Sequence, residues 1–213
     1  MIKLTKSPEP GVLTTNGTQW TDDYLRGLEN GNLTDAQKFR YRHPEIKQAI
    51  RVETFEKCAY CESKVSHVHP GETDHILPVS RRPDLVVSWD NLTYVCTECN
   101  RRKSDYYSEA EPLVNPYVDQ PNDHLIFYGP MVLHKDDKGL RTSRKIELSR
   151  VELFERKQEK IETLNFLIQK WRECPEGETR TFLQTEILEY AKTASEFSAT
   201  LKAFIYSELG WDM

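Results

Sequence analysis

The sequence predicts an α+β fold: a mainly helical body around a core of two short strands and a helix, with a small antiparallel β segment and a C-terminal αα hairpin. Three observations support this prediction. Two Cys-x-x-Cys pairs enclose residues 58–99, prolines and glycines divide residues 108–148 into short apolar runs, and helical periodicity continues through the last third of the chain. A chain of 213 residues is long enough for one composite domain with a hydrophobic core.

The N-terminal segment, residues 1–20, contains two prolines and two glycines and shows no helical period. Its scattered apolar residues predict an extended arm that docks on the body or on another protein. Residues 21–57 are predicted to form a helical lead-in to the core, because Thr21 and Thr34 are good N-caps and Pro44 suits the first turn of a helix.

The two cysteine pairs have the spacing of a structural zinc site. Cys58 and Cys61 would supply two thiolates, and Cys96 and Cys99 the other two, which completes a tetrahedral four-cysteine site. Small buried thiols or two disulfides are the alternatives, and the two matched pairs favour zinc. Such cysteines fit a reducing cytosol. The remaining cysteine, Cys174, is predicted to be a partly buried thiol near a helix end.

Between the cysteine pairs, residues 65–69 and 73–77 are predicted as two short strands joined by a Pro-Gly turn. Asp74 and His75 are adjacent, so their side chains point to opposite faces of a strand. Asn100 follows the last cysteine and is expected in the first turn of a helix. A strand carboxylate and a helix amide could together bind a hard cation such as Mg²⁺ or Mn²⁺, which leaves the imidazole free as a base.

This run of residues resembles the HNH endonuclease motif, the ββα-metal fold, in its variant with four zinc cysteines. The resemblance implies that Asp74 and Asn100 bind the catalytic divalent cation, and that His75 is the general base that activates water. It also implies that Asn91 fixes the loop and supports the base, and that Glu72 lies behind the metal ligands. The first position of the motif is Asp74 rather than His, a variant that keeps metal binding.

The chain carries a net charge of −5, so it lacks the basic balance expected of a nuclease that grips long duplex DNA by itself. A partner that brings the nucleic acid is therefore favoured over a small contact made by this chain alone. The best local surface for nucleic acid combines Arg101, Arg102 and Lys103 with Tyr106 and Tyr107. A solvated helix face with two inward tyrosines is the equally supported alternative.

The HNH-like core is assigned to residues 58–107, and the chain changes character after it. Residues 108–148 are predicted to form a small antiparallel sheet from short runs rich in β-favouring residues. These runs are 124–128, 131–134 and 141–148.

Residues 149–213 are predicted to form the αα hairpin. Its first amphipathic helix spans residues 151–172, and its second begins at about Thr181. Packing on the core and docking of another subunit are the two roles open to this hairpin.

Features outside the core extend the resemblance. The opening Ile-Lys-Leu, Pro8, Trp20, the Asn115-Pro116 segment and the closing helices are similar to the HNH component of Septu-type and retron-associated anti-phage systems. That resemblance implies an ABC/SMC-type ATPase as a partner that controls the nuclease. For retron-associated members it adds a reverse transcriptase and its DNA.

The predicted function is therefore hydrolysis of nucleic-acid phosphodiester bonds by a prokaryotic, cytoplasmic defence effector, with DNA favoured as substrate. An RNA- or tRNA-cleaving effector of the retron type is the alternative, because the same metal and base can hydrolyse either backbone. A zinc-bearing binding module without catalysis is the alternative of another class, and the joint presence of Asp74, His75 and Asn100 disfavours it. No apolar run is long enough for a signal peptide or a membrane span.

Overall fold

The structure is a computed structural model that describes residues 1–66 and 69–212. In the described residues, helices pack around two separate antiparallel strand pairs, which confirms the predicted α+β class. In chain order the elements are α1 (Gly11–Glu29), α2 (Asp35–Lys38), α3 (Pro44–Glu53), β1 (Glu72–His75), β2 (Leu92–Val95), α4 (Thr97–Lys103), α5 (Pro121–His124), β3 (Leu125–Tyr128), β4 (Met131–His134), α6 (Asp137–Ile146), α7 (Val151–Glu173), α8 (Glu178–Ala191) and α9 (Ser198–Leu209).

The N-terminal region becomes helical earlier than predicted. The first 10 residues contain no helix or strand, but α1 begins at Gly11 and continues for 19 residues. The predicted extended arm is therefore wrong for residues 11–20. Thr21 is not a helix start either, because it lies inside α1 and its hydroxyl donates to a carbonyl one turn earlier at 3.0 Å. Tertiary packing overrides weak helix propensity here, since Leu13 and Tyr24 are buried in a core cluster shared with α3.

The other two predicted helix starts are confirmed. The Thr34 hydroxyl accepts from the Gln37 amide at 3.3 Å, and the Gln37 side chain accepts from the Thr34 amide at 2.9 Å, which forms a capping box for α2. Pro44 is the first residue of α3. Ile46 and Ile50, one turn apart, are fully buried and pack α3 against the core strands.

The core strand pair joins β1 and β2 in antiparallel register, with Asp74 opposite Thr93. The prediction that residues 65–69 form the partner of the Asp-His strand is wrong. The described residues of that range belong to no strand, and residues 67 and 68 lie outside the described part of the chain. β2 takes the place beside β1 because all four of its side chains are buried and because it leads directly into the second cysteine pair.

The turn before β1 depends on a glycine. Gly71 has a φ of +65°, and a Cβ atom there would lie 2.2 Å from the Tyr94 ring. The Tyr94 carbonyl accepts from the Ala59 amide at 2.9 Å, so β2 is bonded to the first cysteine turn as well as to β1. The strands and the cysteine turns therefore form one structural unit.

The small antiparallel sheet is confirmed in its first two strands, β3 and β4, which pair with each other. The third predicted strand, residues 141–148, is wrong because α6 occupies most of that range. Gly139, Thr142 and Ile146 are its buried residues, and their spacing of three and four positions is helical. Asp136 caps the helix, since its carboxylate accepts from the Gly139 amide at 2.7 Å.

The C-terminal hairpin is present as α7 and α8, but the second predicted helix is interrupted. Helix α8 ends at Ala191, a short turn follows, and α9 begins at Ser198. Phe197, with a left-handed φ of 56°, directs the chain into α9 and is completely buried in the same cluster as the cysteines. A separate cluster that includes Leu164 and Ile187 holds the three helices together. Within the described ranges, no helix combines the length and apolar character that a membrane span requires.

A buried charge cluster fastens α9 to the first cysteine turn. Glu62, next to Cys61, accepts from the N-terminal ammonium of Met1 at 2.6 Å, from Lys57 Nζ at 3.2 Å and from the Ser198 hydroxyl at 2.7 Å. Lys57 also donates to two carbonyls of the turn between α8 and α9, at 2.6 Å and 3.0 Å. Burial by itself raises the pKa of Glu62, but the Met1 ammonium and Lys57 together lower it to about 2.

Replacing Glu62 with glutamine is expected to lower the free energy of unfolding by about 3–5 kcal/mol, because it leaves two buried cations without their counter-charge. Urea denaturation of the full chain measures this change. Glu189→Gln is the matched control, since it breaks an exposed ion pair with Lys192 and should cost less than about 1 kcal/mol. Similar losses in both variants would contradict the role assigned to the buried cluster.

Candidate active site and zinc site

The four predicted zinc ligands come together. Their Sγ atoms all lie within 4.8 Å of one another, and all four residues are buried. Cys61 Sγ and Cys96 Sγ are 3.9 Å apart, while a tetrahedral Zn²⁺ with bonds of about 2.3 Å separates its sulfurs by about 3.8 Å. The residues therefore fit a structural zinc ion, with Cys58 and Cys61 on one turn and with Cys96 and Cys99 at the start of α4.

Two cations from the C-terminal region lie beside these sulfurs. Both terminal nitrogens of Arg150 are 3.8 Å from Cys99 Sγ. Lys157 is 3% exposed and donates to the Leu148 carbonyl at 3.1 Å. Burial lowers the pKa of Lys157 to about 8, and the negative charges of Cys61, Glu62 and Cys99 oppose this shift. Four thiolates around one Zn²⁺ carry a net negative charge, which these cations offset. Sequence reasoning missed both, because neither lies near a cysteine along the chain.

Asp74 lies on β1 and faces α4. Its Oδ1 accepts from Lys103 Nζ at 3.1 Å, and its Oδ2 accepts from the Tyr60 hydroxyl at 3.0 Å. Lys103 also donates to the His75 carbonyl at 2.7 Å. Burial, and then the charge of Asp74, raises the pKa of Tyr60 well above its usual value, so Tyr60 remains a donor. Groups from two sides thus hold the Asp74 carboxylate in one orientation.

The His75 ring is buried and fixed by two contacts. Its Nε2 lies 2.8 Å from the Val86 carbonyl oxygen, and the ring packs edge-on against Tyr41 with centroids 4.5 Å apart. Since a carbonyl only accepts, Nε2 carries the hydrogen, and Nδ1 is the nitrogen that keeps a lone pair. Burial is the main cause that lowers the pKa of His75 below its ordinary value, so the imidazole is neutral at pH 7.

Asn91 holds the loop between β1 and β2. Its Oδ1 accepts from the Leu77 amide at 2.8 Å, and its Nδ2 donates to the Leu77 carbonyl at 3.0 Å and to the Leu85 carbonyl at 3.4 Å. Leu85 directly precedes Val86, whose carbonyl contacts the His75 ring. The Asn91 amide therefore fixes the segment that orients this imidazole.

Three of the predicted site residues meet in one cavity. Asp74, His75 and Asn100 line a space of about 220 Å³ beside Lys103. Asn100 lies on α4, and its Nδ2 donates to Glu72 Oε2 at 2.6 Å, so Glu72 acts on the cavity through Asn100. The arrangement places a neutral, oriented imidazole beside a carboxylate and an amide.

Comparison with known proteins agrees with this geometry. Residues 58–106 match the family model described as HNH endonuclease. The chain is 28% identical over 226 residues to a Septu protein PtuB of Bacillus thuringiensis, an alignment that covers 97% of this chain and 82% of the relative. It is 27% identical over 192 residues to a Septu protein PtuB of Bacillus mycoides (strain KBAB4), which covers 73% of this chain and 65% of the relative. The chain is a nuclease with an HNH endonuclease domain, and it is similar to the Septu protein PtuB over most of its length.

The cavity of this HNH nuclease has donors that suit a divalent cation. The oxygens of Asp74 and Asn100 are of the types that Mg²⁺ and Mn²⁺ prefer. Each Asp74 oxygen accepts one hydrogen bond from a side chain and has a further lone pair. The Asn100 NH₂ group donates its hydrogen bond to Glu72, so the Asn100 amide oxygen is the atom left to act as a ligand. These residues therefore fit such an ion.

The basic residues of α4 do not form the predicted nucleic-acid surface as a set. Arg102 is largely shielded, and it forms ion pairs with Glu98 at 3.5 Å and with Glu147. Arg101 is exposed, but it also pairs with Glu98, at 2.8 Å. Neighbouring carboxylates therefore take up much of the positive charge on this helix.

Lys103 is the clearest correction to the predicted surface. It is 2% exposed, so it does not face a nucleic acid, and its ammonium forms a buried ion pair with Asp74. Asn100 and Lys103 are three residues apart and share one face of α4, which is the sequence signal that could have placed Lys103 in the site. Tyr60 is the other hydrogen-bond partner of Asp74. It lies in the turn between Cys58 and Cys61, so no helical spacing relates it to the other site residues.

Proposed function

We propose that this HNH nuclease is a divalent-metal-dependent endonuclease that hydrolyses DNA phosphodiester bonds, as the effector of a prokaryotic anti-phage system that acts in the cytoplasm. The observation that carries the proposal is the meeting in one cavity of an oriented imidazole, His75, with the oxygen donors Asp74 and Asn100. The likeness to Septu relatives over most of the chain supports the defence role. The four zinc-spaced thiols support a reducing compartment.

His75 is proposed as the general base. Its Nδ1 accepts a proton from the attacking water, and the Nε2 hydrogen remains bonded to the Val86 carbonyl, which stabilises the imidazolium that forms. The imidazole is neutral before the reaction, so it can take the proton without first losing one. Asn91 serves the base indirectly, because it fixes the loop that carries this carbonyl.

Asp74 and Asn100 would hold the divalent cation, Mg²⁺ or Mn²⁺. When bound, that ion supplies charge neutralisation at the scissile phosphate and the leaving oxygen. Lys103 and Tyr60 position Asp74, and Glu72 positions the Asn100 amide. The structural zinc ion would serve separately to hold the start of α4 against the first cysteine turn, which is bonded to the β1–β2 pair through β2.

An ABC/SMC-type ATPase is the proposed partner, which would present nucleic acid to the nuclease and control its activity. Two observations support this dependence. The chain has a net charge of −5, and the exposed Arg101 and its neighbour Arg102 are both paired with carboxylates. Affinity for nucleic acid comes largely from unpaired cations that contact phosphates, so a partner that brings such cations would compensate. A retron reverse transcriptase and its DNA belong to the alternative, RNA-directed form of this proposal.

Cleavage of plasmid DNA and of total tRNA side by side tests the proposed function. Each reaction contains Mg²⁺ or Mn²⁺ and is run with and without the ATPase partner. We expect DNA cleavage that EDTA abolishes and that the partner increases. Cleavage of tRNA alone would establish the RNA-cleaving alternative. If the folded, zinc-loaded complex cuts neither substrate, the non-catalytic binding module becomes the better description.

A further inference from the structure

A second cavity lies next to the catalytic one. Its volume is about 230 Å³, and its lining is mainly apolar and aromatic, with Tyr60, Ile76, Leu77, Tyr106 and Tyr107 among its walls. We call this cavity the side pocket. Sites for drug-sized molecules occupy roughly 300–1,000 Å³, so the side pocket suits a smaller group.

Two chain segments, residues 73–80 and 100–108, contribute walls to both the side pocket and the catalytic cavity. Asp74 and His75 line the catalytic cavity, and the next two residues, Ile76 and Leu77, line the side pocket. Lys103 lines both and forms part of their common wall. A group bound in the side pocket therefore lies beside the reacting centre, as a nucleobase lies beside the phosphate of its own nucleotide.

The walls of the side pocket are held in place by hydrogen bonds. Asn91 engages both the amide and the carbonyl of Leu77, at 2.8 Å and 3.0 Å. The Tyr106 hydroxyl donates to a backbone carbonyl at 2.8 Å, and the Tyr107 hydroxyl donates to a carboxylate at 2.7 Å. Both tyrosines belong to the lining of the pocket, and these hydrogen bonds hold their side chains in place.

A few polar groups complete the lining. Asn115 lines the pocket, and its Oδ1 accepts from the Tyr117 amide at 2.9 Å, which leaves its NH₂ group to donate. Asp119 and Lys138 lie in the same lining as an ion pair of 2.6 Å. Aromatic walls with a small polar side match the chemistry of a nucleobase, which has two faces for stacking and a polar edge.

We propose that the side pocket takes an unpaired nucleobase of a nucleotide next to the scissile phosphate, so that the nuclease cuts at unpaired stretches of its substrate. This inference rests on the proposed function, because it requires a nucleic acid in the catalytic cavity. A base inside a duplex is paired and stacked, and it must leave the helix before it can enter a pocket. The side pocket thus selects for loops, single strands and flipped bases.

The test measures binding by the complex with the ATPase partner, in which the full nuclease chain carries His75→Ala. This substitution removes the base but leaves the side pocket intact. DNA and RNA stem-loops of equal length carry 2-aminopurine either in the loop or in the stem. We expect binding to quench the loop probe and to leave the stem probe unchanged. Adding Tyr107→Ala should weaken loop binding about tenfold and remove the quenching, because it deletes a stacking surface. Tyr107→Phe is the matched control and should retain both.

Three results would overturn the inference: equal quenching of both probes, no effect of Tyr107→Ala on loop binding, or no binding of any probe. If Tyr107→Ala instead reduces copurification with the ATPase and leaves binding of the loop probe intact, the pocket holds a side chain of the partner. Circular dichroism and zinc content confirm that each variant is folded. The proposed function is judged separately, by cleavage with the chain that retains His75.

Discussion

Replacing His75 with alanine is expected to reduce the rate of phosphodiester cleavage by about 100-fold to 10,000-fold, the usual contribution of a general base. The substitution removes the imidazole whose Nδ1 is free to accept a proton. It leaves Asp74 and Asn100 in place, and it keeps the main-chain carbonyl of residue 75 that accepts from Lys103. Initial rates at fixed metal concentration, on whichever of plasmid DNA and tRNA the nuclease cuts, measure the effect.

His134→Ala is the matched control for this experiment, because His134 is exposed at the end of β4 and lies outside the cavity lining. Its cleavage rate should equal that of the wild type. The His75 ring also packs on Tyr41, so the Tm and zinc content of both variants need to be compared. A folded His75→Ala variant that keeps more than a tenth of the wild-type rate would contradict the assignment of the base.

The sequence predicts which residues come together at the site because their positions depend on short spacings along the chain. Two cysteine pairs define a four-ligand site whatever fold surrounds them, and the structure brings the four sulfurs together. Asp74 and His75 are neighbours on one strand, and Asn100 is tied to the zinc site because it directly follows Cys99. Positions that are fixed by adjacency to a strand or to a metal ligand do not depend on distant packing.

The partner of β1 could not be predicted in the same way. Residues 65–69 and β2 both contain β-favouring residues, so local propensity does not choose between them. The choice depends on burial: every side chain of β2 is buried, whereas Ser66 is exposed. The same reason explains α1 and α6, because their buried residues form a helical stripe only against neighbours that are distant in sequence.

The role of Lys103 shows a different limit of sequence reasoning. A lysine that follows two arginines suggests a surface for phosphates, and the sequence contains no sign that its ammonium is buried. The packing of α4 on β1 brings it to Asp74, where the ion pair and the His75 carbonyl offset the cost of removing the charge from water. Such a pair is visible only once the helix and the strand are placed together.

Replacing Cys96 with serine is expected to remove zinc and unfold the nuclease core. The variant keeps three thiolates, so bound zinc should fall well below about one ion per chain. Structural zinc sites in small domains contribute about 10–16 kcal/mol of apparent binding free energy, which is as large as the net stability of a typical domain. Because α4 carries Asn100 and Lys103, cleavage should be lost together with the fold.

Serine is the informative substitution because it separates two roles of Cys96. Its Sγ is one of the four predicted zinc ligands, and it also caps α4 by accepting from the Cys99 amide at 3.4 Å. A serine hydroxyl is a strong N-cap, so the capping contact survives and the loss is due to the missing zinc ligand. Cys174→Ser is the matched control, since that thiol ends α7 and does not belong to the cluster. Atomic emission measures zinc per chain, and full zinc with a wild-type Tm in Cys96→Ser would refute the four-cysteine site.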